Sequence, residues 1–150
     1  MRKISVNKNK RHKAKKDYLN PARALLRQTL IITRPKNGKK KASVLGGVQS
    51  FSTFGADIVN AAKDVHKQCY DASQIYLKDE RTFNKRLEHF NKAIDDCNDI
   101  LRMLDFCIIE YGTTMKKRNS LFYVAKLTRT TKFEIQDRIN RDKLILEDKD

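Results

Sequence analysis

The sequence predicts an all-α protein: an antiparallel up-and-down four-helix bundle preceded by a basic, flexible N-terminal arm. Three observations lead there. Proline occurs only at positions 21 and 35, and glycine only at 38, 46, 47, 55 and 112, so residues 56–111 and 113–150 hold neither helix breaker. Apolar residues in these stretches recur at alternating steps of three and four, the period of one helix face. The link between the second and third stretches, around 78–81, is short, which makes two long helices antiparallel neighbours.

The arm covers residues 1–17 and shows no periodicity. The first helix is read at about 20–34. Asn20 supplies an N-cap and Pro21 the first helical position, while Ala22, Leu25, Leu26, Thr29 and Leu30 make an apolar face. Pro35 disfavours helical geometry at Arg34 and ends the run. Residues 35–44 form a basic loop expected to be poorly ordered. The second helix spans about 50–77, with the stripe Phe51, Phe54, Ile58, Ala61, Val65, Cys69, Ala72 and Tyr76.

The third helix, about 81–111, carries the clearest seam: Phe83, Leu87, Phe90, Ile94, Cys97, Leu101, Leu104, Ile108 and Tyr111. Gly112 follows as a C-terminal cap. The fourth helix runs from about 114 to 146, with Leu121, Val124, Thr128, Thr131, Ile135 and Ile139 inward. The β-branched segment 127–133 could read as a strand, but the breaker-free length is too great for one strand and no partner strand is visible. The bundle thus occupies 18–146, and 147–150 form a tail.

The chain has 150 residues with 33 Lys/Arg and 18 Asp/Glu, a formal charge of +15. One domain fits this length. Residues 1–41 hold fifteen Lys/Arg and one acid, whereas 42–150 hold eighteen and seventeen. A basic front end on a near-neutral body points to a polyanionic partner. No run approaches the ~18 apolar residues of a membrane span, and the basic N-terminus lacks the apolar core of a secretory signal. Cys69, Cys97 and Cys107 are odd in number and fall on apolar helical faces. They read as buried free thiols of a cytoplasmic protein.

Nothing in the sequence makes a catalytic constellation, and the expectation is a non-enzyme without cofactor. His12, His66 and His89 lack partners at metal-ligand spacing, and Gly46-Gly47 lacks the Lys-Ser/Thr of a phosphate loop. Asp95, Asp96 and Asp99 read as a solvated acidic face, not a metal site. The basic segments carry the functional reading. Arg11, Lys13, Lys15 and Lys16 in the arm, Lys36, Lys39, Lys40 and Lys41 in the loop, and Lys126, Arg129 and Lys132 on the last helix are the candidate nucleic-acid contacts. Residues 116–143 alone hold nine Lys/Arg, Arg138 included, against three acids. With Phe83, Phe90 and Tyr111 committed to the seam, binding is expected to be electrostatic, with no stacking platform of the kind used by sheet-based RNA binders and weak sequence preference.

Several pieces together resemble the family of the accessory variability determinant (Avd) of diversity-generating retroelements. Leu45-Gly46 leads into a helix ending Ala72-Ser73-Gln74-Ile75-Tyr76, and Arg86-Leu87 and Ala93-Ile94 lie in a long amphipathic helix. A basic helix ends Asn140-Arg141-Asp142-Lys143, and a basic arm precedes a short first helix. The resemblance spans roughly residues 18–146. It implies a homopentamer of four-helix bundles that binds a reverse transcriptase and template RNA, with cDNA as a further nucleic-acid partner. Such a subunit supports adenine-directed, error-prone cDNA synthesis while the polymerase performs the chemistry. The ribosomal-intervening-sequence bundle proteins, or a scaffold that docks its tail into an acidic partner, are the alternative.

Overall fold

A computed structural model describes residues 18–148 of the chain. It contains four helices: α1 (Leu19–Ile32), α2 (48–73), α3 (Glu80–Tyr111) and α4 (Met115–Glu147). α2 is composite: Val48–Ser50 is α-helical, Phe51–Gly55 makes one π-helical turn, and Ala56–Ser73 continues as α-helix. Each helix packs on its chain neighbours, and α1 closes the ring against α4. The 74–79 and 112–114 links are short, and the longer 33–47 link folds back until Leu45 N–H reaches Ile32 O, so neighbours run antiparallel, which gives the up-and-down bundle. The arm at 1–17 and residues 149–150 lie outside the described residues.

Burial rather than capping chemistry sets the start of α1. Tyr18, not Asn20, is the N-cap, and Asn20 and Pro21 fall within the first turn. The Tyr18 ring is fully buried, edge-on to Phe90 at 5.0 Å, and this docking draws the chain into helix one residue early. Pro21 still sits where a missing N–H costs nothing. α1 stops at Ile32, two residues before the expected end, where the Thr33 hydroxyl donates to the Thr29 carbonyl (2.7 Å).

The loop at 35–44 departs most from expectation: it is a tight hairpin. Asn37 and Lys40 exchange both backbone hydrogen bonds (3.1 and 2.9 Å), Ser43 N–H donates to Arg34 O (2.9 Å), and Leu45 N–H donates to Ile32 O (2.8 Å). Gly38 takes the left-handed conformation (φ +57°) that the turn requires. Gly46 lets the returning strand cross close behind, since a Cβ there would overlap the Arg34 carbonyl oxygen. Leu45, fully buried, nails the loop to the core. The basic composition suggested disorder, but the lysines point outward and two buried ends hold the backbone.

α2 begins at Val48 and ends at Ser73, four residues short of the expected 77. Arg86 of α3 reaches over and donates from Nη1 to the Ala72 and Ile75 carbonyls (3.2 and 3.0 Å), closing the helix end. Tyr76 is consequently outside the helix and half-exposed, while Leu77 packs with Phe83, Leu87, Ile145 and Leu146 in a small second cluster. α3 opens with a reciprocal cap: Asp79 Oδ1 accepts from Thr82 N–H (2.9 Å) and Thr82 Oγ1 accepts from Asp79 N–H (3.0 Å). The hydrogen bond from Thr82 N–H holds the exposed Asp79 carboxyl below its ordinary value.

The α3 seam keeps Phe83, Phe90, Cys97 and Leu104, but the positions between them move back by one residue. The buried line is Phe83, Arg86, Phe90, Ala93, Cys97, Ile100, Leu104 and Cys107. Leu87, Ile94, Leu101, Ile108 and Tyr111, expected at the centre, flank it half-buried. α3 contacts both α2 and α4, so its apolar arc is wider than a single stripe, and packing chooses the middle of that arc. α4 is helical throughout and resolves the strand-like 127–133 segment. The buried Thr128 and Thr131 hydroxyls donate back to the Val124 and Leu127 carbonyls (2.7 Å each), so these threonines fill core positions with no unsatisfied group.

Candidate nucleic-acid interface

Because α1 and α4 are neighbours, basic segments far apart in sequence share one side of the bundle. Residues 19–47 and 115–147 together hold sixteen Lys/Arg and four Asp/Glu, whereas 48–111 hold eight and eleven. The charge is therefore divided between two pairs of helices, α1–α4 with the hairpin against α2–α3. The hairpin and the start of α4 lie at the same end of the bundle. A shallow groove of about 630 Å³ between α1 and α4 is lined there by Gln28, Met115, Lys116, Asn119, Ser120 and Tyr123. Lys36, Lys39, Lys40 and Lys41 are exposed on the hairpin, with Lys117 and Arg118 exposed on the adjoining turn of α4. Tyr18, which receives the arm, is at the opposite end. The arm candidates Arg11, Lys13, Lys15 and Lys16 lie outside the described residues.

The structure separates the α4 candidates. Lys126 and Arg129 are exposed on the outer face of α4. Lys132 is half-buried and turned towards α3, where its charge acts on the Cys97 thiol. Arg138 does not belong to a surface at all. It is 3% exposed, and its Nε donates to Asp142 Oδ1 (3.0 Å), so it is held inside the bundle and not presented to a partner. Arg141 is exposed and paired with Asp137 (2.9 Å).

Exposed aromatics lie among these cations on α4. Phe122 is 50% exposed and Phe133 64%. Residues advance about 100° per position around a helix, so Met115, Phe122, Lys126, Phe133 and Leu144 fall within about 20° of one line, with Arg129 beside it. That line runs opposite the buried residues Val124, Thr128 and Ile135. Sequence reasoning assigned Phe83 and Phe90 of α3 to the core, where they are buried, but did not follow the aromatics of α4. The steps of four, three and four from Phe122 through Lys126 and Arg129 to Phe133 are a helix-face signal of the same kind as the seam.

Sequence reasoning also missed a buried ionic cluster at the end of the bundle where α2 stops. Arg86 Nε donates to Asp142 Oδ2 (2.8 Å) and Nη2 to Oδ1 (3.4 Å), while the guanidinium lies 5.3 Å from the Phe90 ring centre. Arg86 and Asp142 are 3% and 1% exposed. The buried Tyr18 hydroxyl has no hydrogen-bond partner among the described residues, and burial pushes its pKa up to about 12. The signal was present in the sequence: Arg86 sits between Phe83 and Phe90 at steps of three and four, and Arg138 and Asp142 continue the inner line of Thr131 and Ile135. A charge at a core position is the mark of a buried pair.

Asp96 corrects the reading of a solvated acidic face. It is half-buried, turned to α2 and hydrogen-bonded to Asp64. Burial, then the hydrogen bond and charge of Asp64, raise its pKa to about 8. The same hydrogen bond, against a smaller effect of burial, holds Asp64 below its ordinary value, so the two carboxyls share one proton at neutral pH. Asp95 is exposed, and Asp99 pairs with Arg102 (2.7 Å).

His89 Nδ1 lies 2.7 Å from Gln68 Oε1, and among the described residues no group of His, Cys, Asp or Glu is placed to hold a metal. The three cysteines are buried and free. Burial raises the Cys69 thiol, pushes Cys97 up to about 12 and Cys107 up to about 11, so they stay protonated. No helix among the described residues is long and apolar enough to cross a membrane. Comparison with protein-family models, with curated proteins and with solved structures gives no match.

Proposed function

We propose that the chain is a non-catalytic, nucleic-acid-binding subunit and, as its resemblance to the Avd family implies, an accessory to the reverse transcriptase of a diversity-generating retroelement. In that role it holds template RNA and the polymerase together. The observation that carries this reading is the packing of basic α1 against basic α4, with the hairpin at the same end of the bundle as the start of α4. Lys36, Lys39, Lys40 and Lys41 are presented by a built hairpin, and Lys126 and Arg129 stand free of the core on α4. Ordered cations on one face neutralise successive phosphates and release their counterions. The arm adds further positive charge.

The test is RNA binding as a function of salt. If about six phosphates are contacted on a single strand, log K falls against log salt with a slope of ~−4. Charge reversal at Lys36, Lys39, Lys40 and Lys41, or at Lys126 and Arg129, lowers affinity without altering the helical circular-dichroism signal. Unchanged affinity in both variants rejects the assignment. Co-purification with the reverse transcriptase, lost on nuclease treatment, supports the retroelement role. A complex that survives nuclease and carries no RNA favours the scaffold.

A second observation bears on self-association. Val48, Phe51, Phe106 and Ile109 are exposed where α2 begins and α3 ends, and Val48 and Ile109 are 93% and 84% accessible. Association of several copies, a pentamer in the family's pattern, is part of the proposal. A dilute, stable monomer by light scattering removes that part.

A further inference from the structure

We propose that the outer face of α4 is a stacking track for single-stranded nucleic acid, with Phe122 and Phe133 each taking a base and Lys126 and Arg129 holding the phosphates between them. This rests on the nucleic-acid reading above and adds the class of strand. Four observations carry it. Phe122 and Phe133 are among the most exposed aromatic rings of the described residues. They lie within about 20° of each other around the helix, and at ~1.5 Å rise per residue they are about 16 Å apart along it. The charged positions on the face between them, Lys126 and Arg129, are both cations. On the opposite side of the helix, Thr128 and Thr131 are fully buried, so α4 is anchored in the core with this face turned outward.

The chemistry selects the ligand. Every base offers a π-face, and stacking on an aromatic side chain adds to phosphate neutralisation without reading sequence. In a duplex those faces are already covered by neighbouring base pairs, so only a single strand can use both rings. A protein partner fits less well, because lysine is depleted from the buried centres of protein interfaces and Lys126 is near the middle of this face.

The experiment uses the full chain and two labelled probes, an oligouridine strand of about 20 nucleotides and an RNA duplex of similar length, read by fluorescence anisotropy. Both rings are on the surface, so Phe122→Ala and Phe133→Ala leave the fold intact, which circular dichroism checks. Each is expected to weaken single-strand binding by about five- to 150-fold. Duplex affinity and the salt slope stay at their wild-type values, and Phe122→Trp keeps or improves single-strand binding. Single-strand affinity within about two-fold of wild type in both alanine variants overturns the track while leaving the electrostatic reading intact. Equal weakening on both probes also overturns it. A change in sedimentation with binding unaltered assigns the face to contact between copies instead. Absence of binding by the wild-type chain to either probe, or salt-independent binding, overturns the nucleic-acid reading together with the track.

Discussion

Replacing Asp142 by Asn tests how the far end of the bundle is held. Asp142 receives three charge-assisted hydrogen bonds, from Arg86 at 2.8 and 3.4 Å and from Arg138 at 3.0 Å, and all three side chains are at most 3% exposed. The amide keeps the shape but removes the charge, so the hydrogen bonds from Arg86 and Arg138 lose the buried carboxylate they converge on. Arg86 retains the Ala72 and Ile75 carbonyls, which limits its loss. Breaking a buried pair in this way costs about 3–5 kcal/mol. For a domain of this size that lowers Tm by about 6–20 °C, at roughly 2–4 °C per kcal/mol. Asp99 makes an equally short bond to Arg102, at 2.7 Å, but both side chains are about half or more exposed. Asp99→Asn should therefore cost ~1 kcal/mol or less. Thermal and urea unfolding followed by far-ultraviolet circular dichroism measure both. If Asp142→Asn costs no more than Asp99→Asn, burial does not decide the strength of these pairs and the cluster does not clamp the helices.

Two further predictions concern the carboxyl pair and the hairpin. The Asp96 pKa, about 8 in the folded chain, exceeds the ~3.9 of an unfolded aspartate, so its stabilising effect is complete below pH ~4 and is lost as pH rises through about 8. Asp64 is shifted the other way, and its contribution is lost only as pH falls below about 4. Asp96→Asn, which still donates to Asp64, should raise stability at pH 8 by about 1–2 kcal/mol, a figure reduced for partial exposure, and flatten the profile between pH 5 and 8. A profile parallel to wild type contradicts the shared proton. Gly46→Ala forces a Cβ into the Arg34 carbonyl. It should destabilise by about 1–3 kcal/mol and weaken RNA binding through the displaced hairpin lysines. Wild-type amide-exchange protection at Ser43 and Leu45 in that variant would show that the close approach is not needed.

Two kinds of information made this protein. The sequence by itself determined the four helices and their order, because helical period, breaker placement and short links are local properties of the chain. It also placed most of the core: Leu25, Ile58, Val65, Phe90, Cys97, Leu104, Leu121 and Ile135 are buried as their spacing required. Tertiary structure decided where the elements end and which charges count. α2 stops at Ser73 because Arg86, from another helix, takes its last carbonyls. The hairpin is ordered because Leu45 is buried by distant helices, which no local composition reports. The cations of the first and last helices come onto neighbouring elements only because the ring closes, and Arg138 is taken off that surface by Asp142 in the core. Helical periodicity is written along the chain, whereas the charge that a partner meets depends on which faces the packing leaves outside.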